Sequence, residues 1–323
     1  MGKKVLVTGI GGNVGYGILR NILRYHQNIE IIGTNTERIS AGNHLCHVVY
    51  EVPFSTNENY IPEIQTICKK HDVDLIIPST DYESFILASN KEKLTAAVAV
   101  SPANTCHIFL DKYITYKTLS GFNLPFAQSI LPSEYKDNYE EVIVKPREGR
   151  GSRGIHINPS QPKSFSDEYL VQPFFKGKEI TTAFYVTKEG LLHGLITLER
   201  SLSSGATNMC EVNTDFDERL KAYIVELISK IEIRGACNLQ SIIVGDDFIP
   251  FEVNCRISGT NSIRSQFGFK DVSYTLDEYL FNTLPEPVQL KRGAAIRIMH
   301  DIIYPEVSLS NINNQSDNFY IYE

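Results

Sequence analysis

The sequence offers no C-x-x-C pair, no low-complexity tract, no internal repeat and no apolar run long enough to span a membrane. The first absence argues against zinc ligation or a redox pair. The six cysteines, at 46, 68, 106, 210, 237 and 255, mostly sit in apolar surroundings and read as buried free thiols of a reducing compartment. The last absence excludes a helical membrane protein. Basic charge is not in excess either. A net charge of −7 argues against a general binder of nucleic acid or anionic membrane, while leaving room for a local basic pocket. Residues 1–7 run straight into a strand pattern without signal-peptide architecture, so a cytoplasmic protein is expected. What is present is an ordinary globular composition, 42% hydrophobic and 21% charged over 323 residues, enough for about two domains.

Strand patterns at 3–8, 30–34, 74–78 and 96–100 alternate with helical ones at roughly 16–25 and 60–71. This predicts a doubly wound parallel sheet over roughly residues 1–105. A helix begins near Asp111, and strands at 141–146 and 169–173 flank a glycine-rich loop. From 179 onward strands dominate, at 179–187, 191–198, 238–244 and 248–254, with helices expected at about 215–232 and 271–283. The later part is therefore α+β with antiparallel pairing.

Thr8-Gly9-Ile10-Gly11-Gly12-Asn13-Val14-Gly15 follows a strand and opens a helix, as in the dinucleotide loop of extended short-chain dehydrogenases. Tyr113 and Lys117 even supply a Y-x-x-x-K pair, which would make the chain an NAD(P) oxidoreductase. Against this, the second strand ends in Thr34-Asn35-Thr36, with no acid to grip an NAD ribose. Close helix–strand packing alone also uses glycine at such a turn.

The second glycine loop is more specific. Val142-Ile143-Val144 delivers Lys145 at a strand edge, and Gly149, Gly151, Ser152 and Gly154 follow. Backbone N–H groups of such a loop can wrap phosphates, and Lys145 can hold them as a point charge. Lys112, opening the helix before this unit, is a second phosphate candidate. In Tyr169-Leu170-Val171-Gln172-Pro173-Phe174, the backbone near Gln172 and Phe174 can read an adenine edge, and Glu179 can bind ribose hydroxyls. Finally, Phe248–Asn254 alternates so that Glu252, Asn254 and Arg256 share a face. The Gly245-Asp246-Asp247 turn folds Gln240 back beside them. Hard oxygen donors from Gln240, Glu252 and Asn254 suit Mg²⁺ on a nucleotide phosphate, and Arg256 suits a transferring phosphoryl group.

In this order the motifs resemble the ATP-grasp superfamily: D-K at 111–112, V-K-P with a glycine loop at 144–154, V-Q-P-F-x-x-G-x-E at 171–179, and Q…E-x-N-x-R-x-S-G at 240–259. The flavour is that of the carbamoyl-phosphate-synthase large-subunit-like members, including small stand-alone ones. The resemblance implies an α/β and α+β chain. A Rossmann-like preATP-grasp domain over 1–107 would precede a two-lobed ATP-grasp domain over 108–323, with lobes at about 108–172 and 173–323. It implies Lys112 and Lys145 on the phosphates, the 149–154 loop as a lid, and Glu179 on the ribose. Mg²⁺, or Mn²⁺ in its place, would sit on Gln240, Glu252 and Asn254, with Arg256 stabilising an acyl-phosphate. The implied activity is ATP-dependent ligation of a carboxylate to an amine or related nucleophile. A non-catalytic ATP-binding regulator is the other reading on the same fold. Gln172 departs from the family, where many members carry an acid. No second ATP-grasp copy or glutaminase follows, so carbamoyl phosphate synthesis by this chain alone is not expected. For the acceptor side, Arg200 and Ser201 beside the loop 203–208, and Asp81 and Glu83 at the carboxyl edge of the first sheet, are the candidates. The partners expected are small-molecule carboxylates and amines, with neither nucleic acid nor membrane, and a homo-oligomer is left open. Arg297 and His300, on a late strand, fit no motif.

Overall fold

A computed structural model describes residues 2–149, 151 and 153–322. Ser152 lies outside the described residues. The N-terminal unit alternates β1 (Lys4–Val7), α1 (Asn13–Tyr25), β2 (Glu30–Asn35), β3 (Val48–Glu51), α2 (Tyr60–His71), β4 (Leu75–Ile77), α3 (Asp81–Ser89) and β5 (Ala97–Val98). All pairings in its sheet, ordered β3-β2-β1-β4-β5, are parallel. The order reverses at β1, so the loops after β1, β2 and β4 open at a switch point where ligands gather in such sheets. β1 and β4 are buried and apolar because helices cover both faces. β3 and α3 carry little strand or helix periodicity and escape the sequence reading.

Two helices, α4 (Ala103–Leu110) and α5 (Lys112–Gly121), lead to a small antiparallel sheet of β6 (Val142–Pro146), β7 (His156–Ile157) and β8 (Tyr169–Pro173), ordered β7-β6-β8. A six-stranded antiparallel sheet follows, built from β9 (Glu179–Val186), β10 (Leu192–Ser203), β11 (Ala206–Val212), β12 (Gly235–Val244), β13 (Asp247–Asn254) and β14 (Ala294–Ile296) in the order β13-β12-β9-β10-β11-β14. α6 (Asp217–Lys230) covers one of its faces through Leu220, Ile224 and Leu227. α7 (Asn261–Arg264) and α8 (Asp271–Leu276) join the other face to α1. The helix expected over 271–283 passes into a π-turn at 277–281 and stops at Asn282 in the left-handed region. The loop expected at 203–208 is instead a tight hairpin, since β10 runs to Ser203 and β11 starts at Ala206. A last hairpin, β15 (Asp301–Ile303) with β16 (Tyr320–Tyr322), brackets a segment that leans back on the N-terminal unit. There the Gln315 N–H donates to the Cys46 carbonyl at 2.9 Å, and Asn43 Nδ2 to the Asn313 carbonyl at 3.1 Å.

One junction fixes the two halves against each other. A Cβ at Gly17 of α1 would lie 2.4 Å from Asn261 Oδ1. That buried amide accepts from Asn21 Nδ2 at 3.0 Å and donates to the Val14 and Ser258 carbonyls at 3.1 and 3.0 Å. Gly17→Ala adds a methyl only 2.4 Å from Asn261 Oδ1, so an overpacking cost near the upper end of the usual range, about 3 kcal/mol, is expected to outweigh about 1 kcal/mol of gained helix propensity. A fall in urea midpoint by the net difference is expected, and an unchanged or raised midpoint would refute this account of the junction.

Candidate active site

The edge of the first sheet, the glycine loop and the inner face of the six-stranded sheet enclose one cleft of about 760 Å³. Its floor comes from β9, β12 and β13. Gln240 stands opposite Glu252, Asn238 opposite Asn254, and Ile242 opposite Glu179. Simple alternation does not describe β13. The pairing slips between Gln240 and Ser241, so Ser241 faces Pro250 and Phe251 has no partner. This bulge turns both Phe251 and Glu252 into the cleft.

Lys112 arrives by capping. Asp111 ends α4, and its Oδ1 accepts from the Tyr113 and Ile114 N–H groups at 2.8 and 3.2 Å, which starts α5 with Lys112 in its first turn. Lys145 arrives on β6. The two ammonium-bearing residues are 7% and 5% exposed. Lys112 Nζ lies 3.9 Å from Glu252 Oε2, and Lys145 Nζ lies 4.9 Å from the centroid of the Phe251 ring. Burial pushes Lys145 down to about 7; Glu252 opposes that fall and Lys112 adds to it. Burial also works against the Glu252 charge, yet Lys112, Lys145, the Asn254 hydrogen bond and Arg256 together hold its carboxyl below the ordinary value.

A chain of hydrogen bonds crosses the floor. Arg200 Nε donates to Glu179 Oε1 at 3.0 Å, and its Nη2 donates to Gln240 Oε1 at 2.8 Å. Gln240 Nε2 donates to Asn254 Oδ1 at 3.1 Å, and Asn254 Nδ2 to Glu252 Oε1 at 3.0 Å. Arg200 therefore sits directly across from Glu179, inside β10, which runs past residue 198. Ser201 points the other way, is exposed, and lies outside the cleft lining.

At one end the lining is apolar: Ile143, Ile157, Phe174, Phe175, Leu202 and Ile242. The Phe174 N–H is already given to the Glu141 carbonyl at 2.9 Å, and Gln172 Nε2 to Ser129 Oγ at 2.8 Å. Those donors are engaged within the fold. Gly149 and Gly151 line the cleft, while Gly154 lines a neighbouring pocket with Phe54 and Tyr82. At the other end Arg256 reaches across to the first sheet, where its Nε and Nη2 donate to Asp81 Oδ2 at 3.1 and 2.7 Å. Asp81 is thus paired, not open to an amine. Glu83 has a different task. Thr80 caps α3 by accepting from the Glu83 N–H at 3.2 Å and donates its own hydroxyl to Glu83 Oε2 at 2.8 Å; the Tyr60 hydroxyl donates to Oε1 at 3.3 Å. Burial raises its pKa, and it serves as a satisfied core carboxyl at the cleft wall.

The first glycine loop borders the cleft through Gly9 and Gly12, but its glycines have a packing cause. A Cβ at Gly15 would meet the Gly9 carbonyl oxygen at 2.4 Å. Tyr113 and Lys117 lie outside the lining, and Tyr113 lies under the Arg147 guanidinium at 5.4 Å from its ring centroid.

Comparison with known proteins falls on the same residues. Residues 109–260 match the ATP-grasp domain family, and residues 5–101 match the family described as PylC-like, N-terminal domain. The chain carries an ATP-grasp domain. Among curated proteins, a D-alanine–D-alanine ligase of Phocaeicola vulgatus is 31% identical over 111 residues, which are 27% of this chain and 34% of that ligase. The match thus spans about a third of the relative's length. Among solved structures, the N5-carboxyaminoimidazole synthetase of Staphylococcus aureus, complexed with ADP, superposes at TM-score 0.76 and 13% identity, covering 93% of this chain and 83% of that one. The biotin carboxylase domain of the Hydrogenobacter thermophilus 2-oxoglutarate carboxylase, complexed with MgADP, superposes at 0.73 and 15% identity, covering 91% and 73%. At those identities the likeness is one of fold: an N-terminal α/β domain followed by an ATP-grasp domain.

The donor chemistry of the cleft fits a polyanion. Two buried ammonium groups lie beside Glu252, with Glu179 a weaker influence, and Lys145 is lowered chiefly by burial. Among the described residues no group of three or more His, Cys, Asp or Glu could hold a metal ion. A divalent ion here would draw on Glu252, the Asn254 and Gln240 amide oxygens, and the oxygens of the polyanion itself. Arg297 also lines the cleft, with Nη2 donating to the Gly259 carbonyl at 2.8 Å. No spacing pattern in the sequence marks it. His300 is exposed and outside the lining.

Proposed function

We propose that this protein is an ATP-dependent ligase that activates a small-molecule carboxylate and joins it to an amine or a related nucleophile. The observation that carries this reading is the buried pair Lys112 and Lys145 set against Glu252, Asn254 and Gln240, with Arg256 two residues past the end of β13. In this reading the two lysines hold the terminal phosphates and the glycine loop covers them. The apolar end takes the adenine, and Glu179, held by Arg200, takes the ribose hydroxyls. Glu252, Asn254 and Gln240 would hold Mg²⁺ or Mn²⁺, which when bound neutralises phosphate charge.

The chemistry follows from that placement. A substrate carboxylate oxygen attacks the γ-phosphorus, the bond to the ADP oxygen breaks, and an acyl-phosphate and ADP result. The amine then attacks the acyl carbon, phosphate leaves, and the amine nitrogen loses a proton. Arg256 donates hydrogen bonds to the transferring phosphoryl oxygens, where charge builds, at the cost of loosening its pair with Asp81. Positioning and exclusion of water supply the rest. Six buried cysteines without disulfides suit a cytoplasmic setting. No described helix is long and apolar enough to cross a membrane.

Thermal melts with Mg–ATP, with ATP plus chelator, and with NADH or NADPH test the class. A ligand bound only by the folded state raises the midpoint by mass action. A rise with Mg–ATP that chelation removes is expected, followed by ADP release only when a carboxylate is supplied. Nucleotide binding without ADP release across a carboxylate and amine panel would mark a regulator. A rise with a nicotinamide cofactor and none with ATP would overturn the reading.

A further inference from the structure

Besides Arg153 of the glycine loop, three arginines in or just beyond strands of the six-stranded sheet line the cleft, and they are not equivalent. Arg200 is paired with Glu179, and Arg256 with Asp81. Arg297, immediately after β14, has no carboxylate partner among the described residues. It is nevertheless fixed in place. Its own N–H donates to the Asn208 carbonyl at 2.8 Å, and its Nη2 to the Gly259 carbonyl at 2.8 Å, so the remaining guanidinium donors are left for the cleft.

The surroundings sharpen the imbalance. Burial lowers the Arg297 pKa; Cys210 opposes that fall, and the Arg20 charge on α1, the smallest of the three influences, adds to it. The start of α1 borders the same end of the cleft through Gly12, Asn13 and Val14; it has no capping side chain and no acid in its first turn. Asn261 ties this helix start to the Ser258–Gly259 segment on which Arg297 rests. A half-buried cation with no acid beside it among the described residues is completed most favourably by an anion.

We propose that Arg297 is a specificity-determining residue that binds a second oxyanion on the substrate, a carboxylate or a phosphate ester, distinct from the carboxylate being activated. This rests on the ligase reading above, because it assigns the end of the cleft away from the apolar slot to the substrate. It narrows the substrate class to small molecules that carry an acidic group besides the reacting one. Arg297 touches that group and not the reacting atoms, so its loss raises KM more than it lowers kcat.

The test uses the full chain saturated with Mg²⁺ and a non-hydrolysable ATP analogue, so that the phosphate sites at Lys112 and Lys145 are filled. Inorganic phosphate and malonate are titrated by calorimetry into the wild type, Arg297→Ala and Arg297→Lys. Binding of at least one probe to the wild type, weakened at least tenfold in Arg297→Ala and partly restored in Arg297→Lys, is expected. Preference for phosphate or for malonate then tells which oxyanion the site takes. Equal probe affinity in all three proteins, or no probe binding to the wild type, overturns the proposal. The analogue is titrated alone in parallel. Failure of the wild type to bind it sinks the ligase reading instead, and a loss of analogue affinity in Arg297→Ala matching the probe loss would place Arg297 in the nucleotide site and overturn the substrate assignment. The ligand-free melting midpoint shows whether each variant is folded, and Arg297→Gln serves where Arg297→Ala is not.

Discussion

Lys145→Met is expected to leave a protein that is at least as stable as the wild type near neutral pH and almost inactive as a ligase. The two effects have one cause. Lys145 is buried with its ammonium over the Phe251 ring, and it shares its strongest acidic neighbour, Glu252, with Lys112, Glu179 acting more weakly. The free protein therefore holds this charge at a cost, which is why burial brings the group down to about 7. The unfolded chain binds this proton up to the ordinary lysine range, so between about 7 and that range the unfolded state carries more protons than the folded one. Stability from this group accordingly rises with pH across that window and is lowest below it. Methionine keeps the length and apolar stem, removes the penalty and flattens that slope. Catalysis suffers in the opposite sense, because the same charge is what a γ-phosphate meets. Removing one preorganised donor from such a site costs about 10²–10³ in kcat. Urea denaturation at pH 6 and pH 9, with ADP release at saturating Mg–ATP, reads both. A variant that retains turnover within a fewfold would remove Lys145 from the mechanism. A wild type no more stable at pH 9 than the variant's own slope predicts would remove the buried-charge account. In the wild type, nucleotide binding above pH 7 should take up a proton, which calorimetry in buffers of different ionisation enthalpy detects.

The sequence carried this part of the site well because its determinants are local. A β-branched run presents Lys145, an Asp-Lys pair caps and opens α5, and a two-residue turn sets Gln240 opposite Glu252. Period-2 and period-3.6 patterns likewise located β1, β2, α2, β8 and β13. What was not legible depends on register or on distance along the chain. The unpaired Phe251 breaks alternation without any glycine to announce it. Arg256 and Asp81 are 175 residues apart, and nothing in either neighbourhood shows that they meet across two domains. Glu83 reads as an acceptor-side acid at the carboxyl edge of the first sheet, but the Thr80 cap and the Tyr60 hydroxyl draw it into the core. Arg200 reads as lying past a strand that ends at 198, because β10 and β11 join through only Ser204 and Gly205, a turn shorter than the polar run around it suggests.

Asp271→Asn is expected to cost about 3–5 kcal/mol of stability, the range for breaking a buried ion pair by removing one partner. Arg264 and Asp271 each expose 1% of their side chain, and Arg264 Nη2 bonds Asp271 Oδ2. Arg264 Nη1 donates to Ser258 Oγ at 2.8 Å and to Thr260 Oγ1 at 2.7 Å. The guanidinium thus braces, from behind, the 258–260 segment whose front lines the cleft at Ser258 and Gly259. The pair is imperfectly satisfied, since Arg264 Nε and Asp271 Oδ1 have no hydrogen-bond partner among the described residues. Its net worth against an apolar replacement is therefore small, while the cost of stranding either charge is large. The double variant Arg264→Met/Asp271→Leu separates these two quantities. It should recover most of the stability lost by Asp271→Asn, because no uncompensated charge remains in the interior. It should not recover ligand binding to the same extent, because the hydrogen bonds to Ser258 and Thr260 are gone and the ledge under Arg297 is no longer braced. Urea midpoints for the two variants, with calorimetric titration of malonate, decide the point. A double variant as unstable as Asp271→Asn would show that the Ser258 and Thr260 hydrogen bonds, and not the stranded charge, set the cost.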